Sequence, residues 1–256
     1  MRRLLQHPVV QRHLSLAATL RALRQPVFLT AILAFGCLWG FAELADAIDE
    51  QGTQRFDTAV LRSLRDADDP TRLIGPPWIE QALRDLTALG GETILTLVTV
   101  IACCYLSLAG RRDLSLFAAA SVIGGTVLMY TLKGFFDRPR PELVPHILVT
   151  VSSYSFPSGH AMGSAIVYLT LGTMLAEAAR SWRLKAYVLT VAVLLTLVVG
   201  STRVFLGVHY PTDVLAGWAA GFLWAYGCRT LVRFWRYWRR HRNAFDTPAE
   251  SPEART

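Results

Sequence analysis

The sequence predicts an all-α integral membrane protein, a bundle of six transmembrane helices with one further helix lying on the outer membrane surface between spans 1 and 2. Three observations predict it: an evenly apolar composition, six long uncharged runs, and cations gathered at alternate ends of those runs. The 256 residues are 52% hydrophobic and only 18% charged, with a mean hydropathy of +0.34. That balance excludes an ordinary soluble domain. The runs cover 27–45, 93–108, 114–132, 161–179, 187–200 and 214–231. About 20 helical residues cross a hydrocarbon layer of roughly 30 Å. The second and fifth runs are short, so they are expected to recruit residues 86–91 and 184–186.

Charge orients the bundle, because Lys and Arg are retained on the cytoplasmic side during insertion. With both termini inside, 17 of the 26 cations fall on inner segments. Segments three-to-four and five-to-six then open on the same outer face. In a bacterium this is the periplasmic face of the inner membrane.

Taken in order, residues 1–26 form a basic cytoplasmic segment without acids. The first apolar run begins only near Val27 and has no small-residue cleavage site before Glu43, which fits an uncleaved signal anchor. The loop 46–85 is rich in acids and arginines. Within it, Phe56, Val60, Leu61 and Leu64 recur at helical spacing and predict the outer interfacial helix over 53–65. Residues 27–232 are read as one membrane domain. Gly124-Gly125, Gly159-x3-Gly163 and Gly217-x3-Gly221 place small residues on single helix faces and allow close packing.

The tail 233–256 alternates Arg233, Arg236, Arg239, Arg240 and Arg242 with Phe234, Trp235, Tyr237 and Trp238, an interfacial anchor for anionic lipid headgroups rather than a nucleic-acid surface. Its end, 243–256, has a disordered composition. Cys37, Cys103, Cys104 and Cys228 lie in apolar runs and are read as small helix residues, without a disulfide framework. The oligomeric state is left open.

Three short strings stand where apolar runs end: Lys133-x6-Arg140-Pro141, Pro157-Ser158-Gly159-His160 and Arg203-x5-His209-x3-Asp213. All three in order is roughly a one in 10^4 to 10^5 coincidence at average residue usage. Lys133 closes the third span, and Gly134 and Pro139 release the chain so that Arg140 can fold back to the same point. Arginine offers a planar fork to two phosphate oxygens, while lysine supplies a compact charge. Arg138 is expected to pair with its neighbour Asp137.

Ser158 is placed as the N-cap of the fourth span, and Gly159 permits close backbone approach, so the free N–H groups there form an anion cradle. His160 in the first turn is able to protonate a leaving oxygen. Asp213, four residues beyond His209, is near enough to accept from one ring nitrogen and leave the other free to attack. Arg203 adds a third cation for the equatorial oxygens of a phosphoryl group.

On these residues the chain resembles the type 2 phosphatidic acid phosphatase family, membrane lipid phosphate phosphatases related to bacterial acid phosphatases and vanadium haloperoxidases. The motif region spans 133–213, and the six-span plan extends the similarity to about 27–231. The family often has Ser before the third-motif arginine where this chain has Thr202, which keeps the hydroxyl. The resemblance implies a six-helix lipid-phosphatase bundle and a reaction without metal or other cofactor. In it, His209 is the nucleophile of a phosphohistidine, His160 the general acid and Asp213 the residue orienting His209. Lys133, Arg140, Ser158, Gly159 and Arg203 hold the phosphate. The order of the two histidines comes from the family.

The substrate class is then a membrane lipid phosphate or pyrophosphate, such as phosphatidic acid, phosphatidylglycerol phosphate or undecaprenyl pyrophosphate. Competing readings are a lipid phosphotransferase, a vanadate-dependent haloperoxidase and a silent lipid-binding or transport protein. The last predicts lost motif residues, yet every charged member is present.

Overall fold

Each of the six apolar runs becomes a helix, for reasons visible at the helix ends. In the computed structural model the described residues are 26–49, 52–141 and 154–245, with side chains described over 31–48, 52–141 and 154–235. The helices are α1 (Pro26–Asp49), α2 (Gln54–Ser63), α3 (Pro77–Ala88), α4 (Glu92–Leu108), α5 (Arg112–Phe136), α6 (Gly159–Ala178, with a π-helical turn at Ala165–Leu169), α7 (Trp182–Phe205) and α8 (Pro211–Phe245). Among the described residues the only strand-like pairing is one bridge between Arg65 and Leu73.

Ser181 caps α7 by accepting from the Leu184 N–H at 3.2 Å. Pro211 opens α8, where a missing N–H costs nothing. At the end of α5, Asp137 takes a left-handed φ of 49° and turns the chain toward Pro139 and Arg140. The fifth run does recruit residues 184–186, inside α7. The basic segment 1–25 and the end 246–256 lie outside the described residues, as do the side chains of the tail from Arg236 onward.

Helix α8 approaches α6 closely because Gly217 and Gly221 face it. A Cβ on Gly217 would lie 2.8 Å from the Ser158 carbonyl oxygen, and one on Gly221 would lie 2.8 Å from that of Met162. Met129, Met162, Ile166 and Ala220 fill the space between α5, α6 and α8. At one end Phe136 and Phe156 meet edge to face at 4.8 Å, with Phe41 of α1 at 5.8 Å from Phe156. Leu116, Ile123, Val127 and Leu194 point outward from α5 and α7. Such exposed apolar flanks suit a lipid surround.

Residues 86–91 do not extend α4 as a straight helix: α3 and α4 bend by 47° at the break between them, and only together do the two have the length and hydropathy of a span. Gly90 makes this elbow possible: a Cβ there would overlap Val199 of α7. Tyr168, re-aimed by the π turn of α6, closes the elbow by donating to the Leu89 carbonyl at 2.6 Å.

By length and composition, four helices among the described residues qualify as membrane spans, α1, α5, α6 and α7, or five if the bent α3–α4 pair is one span; α8 is not among them. The helix over 53–65 exists as α2, but its apolar spacing does not define its buried face. Phe56 is exposed, while Leu61 and the acid Asp57 are fully buried.

Candidate active site

Four chain segments converge at one end of the bundle: the close of α5 with the turn after it, the opening of α6, the close of α7, and the opening of α8. The helix ends deliver polar groups there that the apolar flanks exclude.

Lys133, buried in the last turn of α5, donates to the Tyr154 carbonyl at 2.8 Å. Its Cε would meet a Cβ on Gly159 at 3.3 Å, so glycine leaves room for the lysine beside the start of α6. Arg140 returns to the same point. One of its Nη atoms donates to the Val208 carbonyl at 2.7 Å and lies 3.0 Å from Nε2 of His209.

Arginine has no acceptor, so Nε2 is the accepting nitrogen and the proton of a neutral His209 sits on Nδ1. Nδ1 faces Oδ2 of Asp213 at 3.5 Å and Oγ of Ser155 at 3.3 Å. Ser155 donates to the same Asp213 oxygen, and so does the Tyr210 N–H, at 2.9 Å.

Arg203, buried near the end of α7, donates to Thr87 Oγ1 of the elbow helix α3 at 2.9 Å, and its Nε has no hydrogen-bond partner among the described residues. Thr202 beside it spends its hydroxyl on the Val199 carbonyl within α7. Ser158 stands at the N-cap position of α6, but its fully buried hydroxyl makes no cap and has no partner among the described residues. Its own N–H donates to the Asp213 carbonyl at 3.0 Å, which stitches the openings of α6 and α8 together. His160 is half-buried against Gly90 of the elbow and lies within electrostatic reach of Arg203, His209, Arg140 and Lys133.

Burial dominates the electrostatics. It pushes the His209 imidazole from 6.5 down to about 3, against the pull of Asp213. Burial also lowers Arg140, with Asp213 opposing. For Arg138, burial again works against the charge, but Asp213 and Asp57 outweigh it and hold the guanidinium above its ordinary value.

Arg138 is a correction. It does not pair with Asp137; its two Nη atoms reach Asp57 at 2.9 Å and Asp213 at 2.6 Å, 81 and 75 residues away. The sequence reading also passes over Ser155, Thr87 and Asp57. Ser155 stands two residues before the second motif, and Asp57 shares a helix face with Leu61 at i, i+4. No local signal marks Thr87. Among the described residues no group of three or more His, Cys, Asp or Glu side chains is arranged to hold a metal ion.

A phosphatidylglycerophosphatase B of Bacillus subtilis is 33% identical over 187 residues, 72% of this chain and 86% of the relative. The chain belongs to the PAP2 superfamily. The model of that superfamily matches residues 114–237. A decaprenylphosphoryl-5-phosphoribose phosphatase of Mycobacterium tuberculosis is 31% identical over 174 residues, 65% of this chain and 85% of the relative. The crystal structure of a transmembrane PAP2-type phosphatidylglycerolphosphate phosphatase from Bacillus subtilis superposes with a TM-score of 0.70 at 30% identity, covering 78% of this chain and 96% of that one. Together with the apolar helices, this makes the PAP2 protein described here an integral, multi-pass membrane protein.

Proposed function

We propose that this protein is a phosphatase that removes phosphate from a membrane lipid phosphate or pyrophosphate through a phosphohistidine on His209, without a metal ion. The observation that carries the reading is the pair of contacts on one imidazole: an obligate donor, Arg140, on Nε2 at 3.0 Å and the Asp213 carboxylate facing Nδ1 at 3.5 Å. This pair fixes the tautomer in which Nε2 keeps its lone pair for phosphorus. The orphan hydroxyl of Ser158 and the orphan Nε of Arg203 support an anion in the same pocket, since buried polar groups need partners.

In the reaction, phosphate oxygens take over Arg140 and engage Lys133, Arg203, Ser158 and the N–H groups at Gly159. Nε2 of His209 attacks phosphorus as the bond to the lipid oxygen breaks, and protonated His160 gives its proton to that oxygen. Asp213 balances the charge that develops on the imidazole ring. Water then attacks phosphorus and yields its proton to His160, the P–N bond breaks, and His209 returns to neutrality.

The three cations supply the neutralisation that a metal would otherwise provide. The apolar flanks suit a substrate whose chains stay in lipid while its headgroup enters the site. The cation distribution supports an outer, periplasmic location in a bacterial inner membrane, with cytoplasmic termini and anionic headgroups at the basic tail. Relatives named for phosphatidylglycerol phosphate and for a polyprenyl phosphoribose phosphate support the lipid class.

The test is phosphate release by purified protein in EDTA, over a panel of phospholipids and prenyl pyrophosphates. Wild type is expected to turn over at least one of them, and His209→Ala to lose about 10^4-fold or more. Dependence on added metal, or turnover by His209→Ala, overturns the mechanism.

A further inference from the structure

Helix α2 belongs to the loop 46–85, outside all three motifs, yet it buries an acid against the site. Asp57 is fully buried. Its Oδ1 accepts from the Thr212 N–H at 3.1 Å, and its Oδ2 accepts from the Thr212 hydroxyl at 2.7 Å and from Nη2 of Arg138 at 2.9 Å. Nη1 of Arg138 donates to Oδ1 of Asp213 at 2.6 Å and to the Thr212 hydroxyl at 3.0 Å. The Tyr210 ring lies beneath the guanidinium, 4.2 Å from its carbon. One planar fork therefore bridges two buried carboxylates and is held on its face as well. A lysine could not do this, because a point charge has no second arm in a fixed plane.

The division of Asp213 between its two oxygens gives this bridge a purpose. Oδ1 goes to Arg138, whereas Oδ2 takes Ser155, the Tyr210 N–H and the side of His209 that carries Nδ1. If the carboxylate rotated, Oδ2 would leave the imidazole and the tautomer would lose its anchor. We propose that Asp57 and Arg138 are positioning residues: Asp57, reaching in from the outer loop, sets the plane of the Arg138 fork, and Arg138 holds Asp213 in the rotamer that serves His209. The proposal rests on the roles given to His209 and Asp213 above. It assigns the loop 46–85 a part in catalysis that the motifs do not contain.

Asp57 also accepts the Thr212 N–H at the start of α8, so a plain helix cap is the rival explanation. The two are separated by steady-state kinetics of the full chain in detergent with dioctanoyl phosphatidic acid, alongside melting temperatures. Asp57→Asn keeps an acceptor for Thr212 but loses the charge; Asp57→Ala loses both. The relay predicts that both lower kcat by about 10-fold with KM within about 2-fold, and that Arg138→Gln lowers kcat by about 100-fold, a cost in the range of ångström-scale misplacement. The double variant Asp57→Asn with Arg138→Gln is expected to be no worse than Arg138→Gln alone, because both act through one link. Arg138→Lys is expected to recover little.

The proposal fails if Asp57→Asn matches wild type in kcat, if the effect lies in KM alone, or if the two losses multiply in the double variant. Should Arg138→Gln not fold, the comparison of Asp57→Asn with Asp57→Ala still decides. Turnover by His209→Ala would instead strike the parent mechanism, whatever Asp57 does.

Discussion

The two ends of the bundle both pair acids with arginines, and they do so in opposite ways. At the site end, Asp57 and Asp213 are fully buried and share the nearly buried Arg138, with a further ionisable group, His209, against Asp213. At the other end, Glu177 of α6 faces Arg229 and Arg233 of α8 at 3.7 and 3.4 Å, with side chains 30–50% exposed. An exposed pair contributes about 0–1 kcal/mol, because water and ions screen it. A buried charge left without its partner costs several times more, so the inner network is kept complete or not at all. The same chemistry therefore braces a helix junction at one end and holds Asp213 beside His209 at the other.

The sharpest way to break this contrast is Arg140→Ala, which removes a cation from the pocket without touching the apolar packing. We expect kcat/KM for lipid phosphate to fall by about 10^2- to 10^3-fold, as for loss of one preorganised donor to a developing oxyanion, with little change in melting temperature. A loss confined to stability would make Arg140 a structural group like those at the far end.

A smaller effect comes from acid. His209 is held at about 3 in the folded protein, below its ordinary 6.5. Between those values the unfolded chain takes up a proton that the folded protein refuses, so stability falls as pH falls through that window. The slope for this one group approaches about 1.4 kcal/mol per pH unit. Melting curves of wild type and His209→Gln between about pH 7 and pH 4 check it: the wild type loses stability faster on acidification. Parallel curves would mean that His209 titrates normally and is not sealed as described.

The smallest effect is expected from Glu177→Gln. It should change stability by about 0.5 kcal/mol or less and leave kcat unaltered. A large loss there would erase the difference between the two ends.

Much of this arrangement was legible in the sequence because the signals are local. Runs of apolar residues mark the helices, and Pro139 marks where the chain leaves the third span. The strings at Lys133, Ser158 and Arg203 collect the polar groups because helix ends are where a membrane bundle can place charge. What was not legible depends on pairings between distant segments. Asp137 is the obvious partner of Arg138 on a linear chain, but Asp57 and Asp213 win because folding brings both into a space without water. The elbow at Gly90 was hidden for a similar reason. Its glycine answers to Val199 and His160, residues of other helices, and not to the periodicity of its own. The apolar spacing around Phe56 pointed to lipid, but the face that docks is chosen by one acid with a partner to meet.

The contact between Arg140 and His209 has a consequence for the idle enzyme. On the proposed mechanism Nε2 is already engaged by the Arg140 guanidinium, so the imidazole would offer little to stray alkylating or acylating agents. A tetrahedral group with two negative charges would draw the guanidinium away and free it. Discrimination against neutral esters would then begin before any bond is strained, at the moment the pocket is entered.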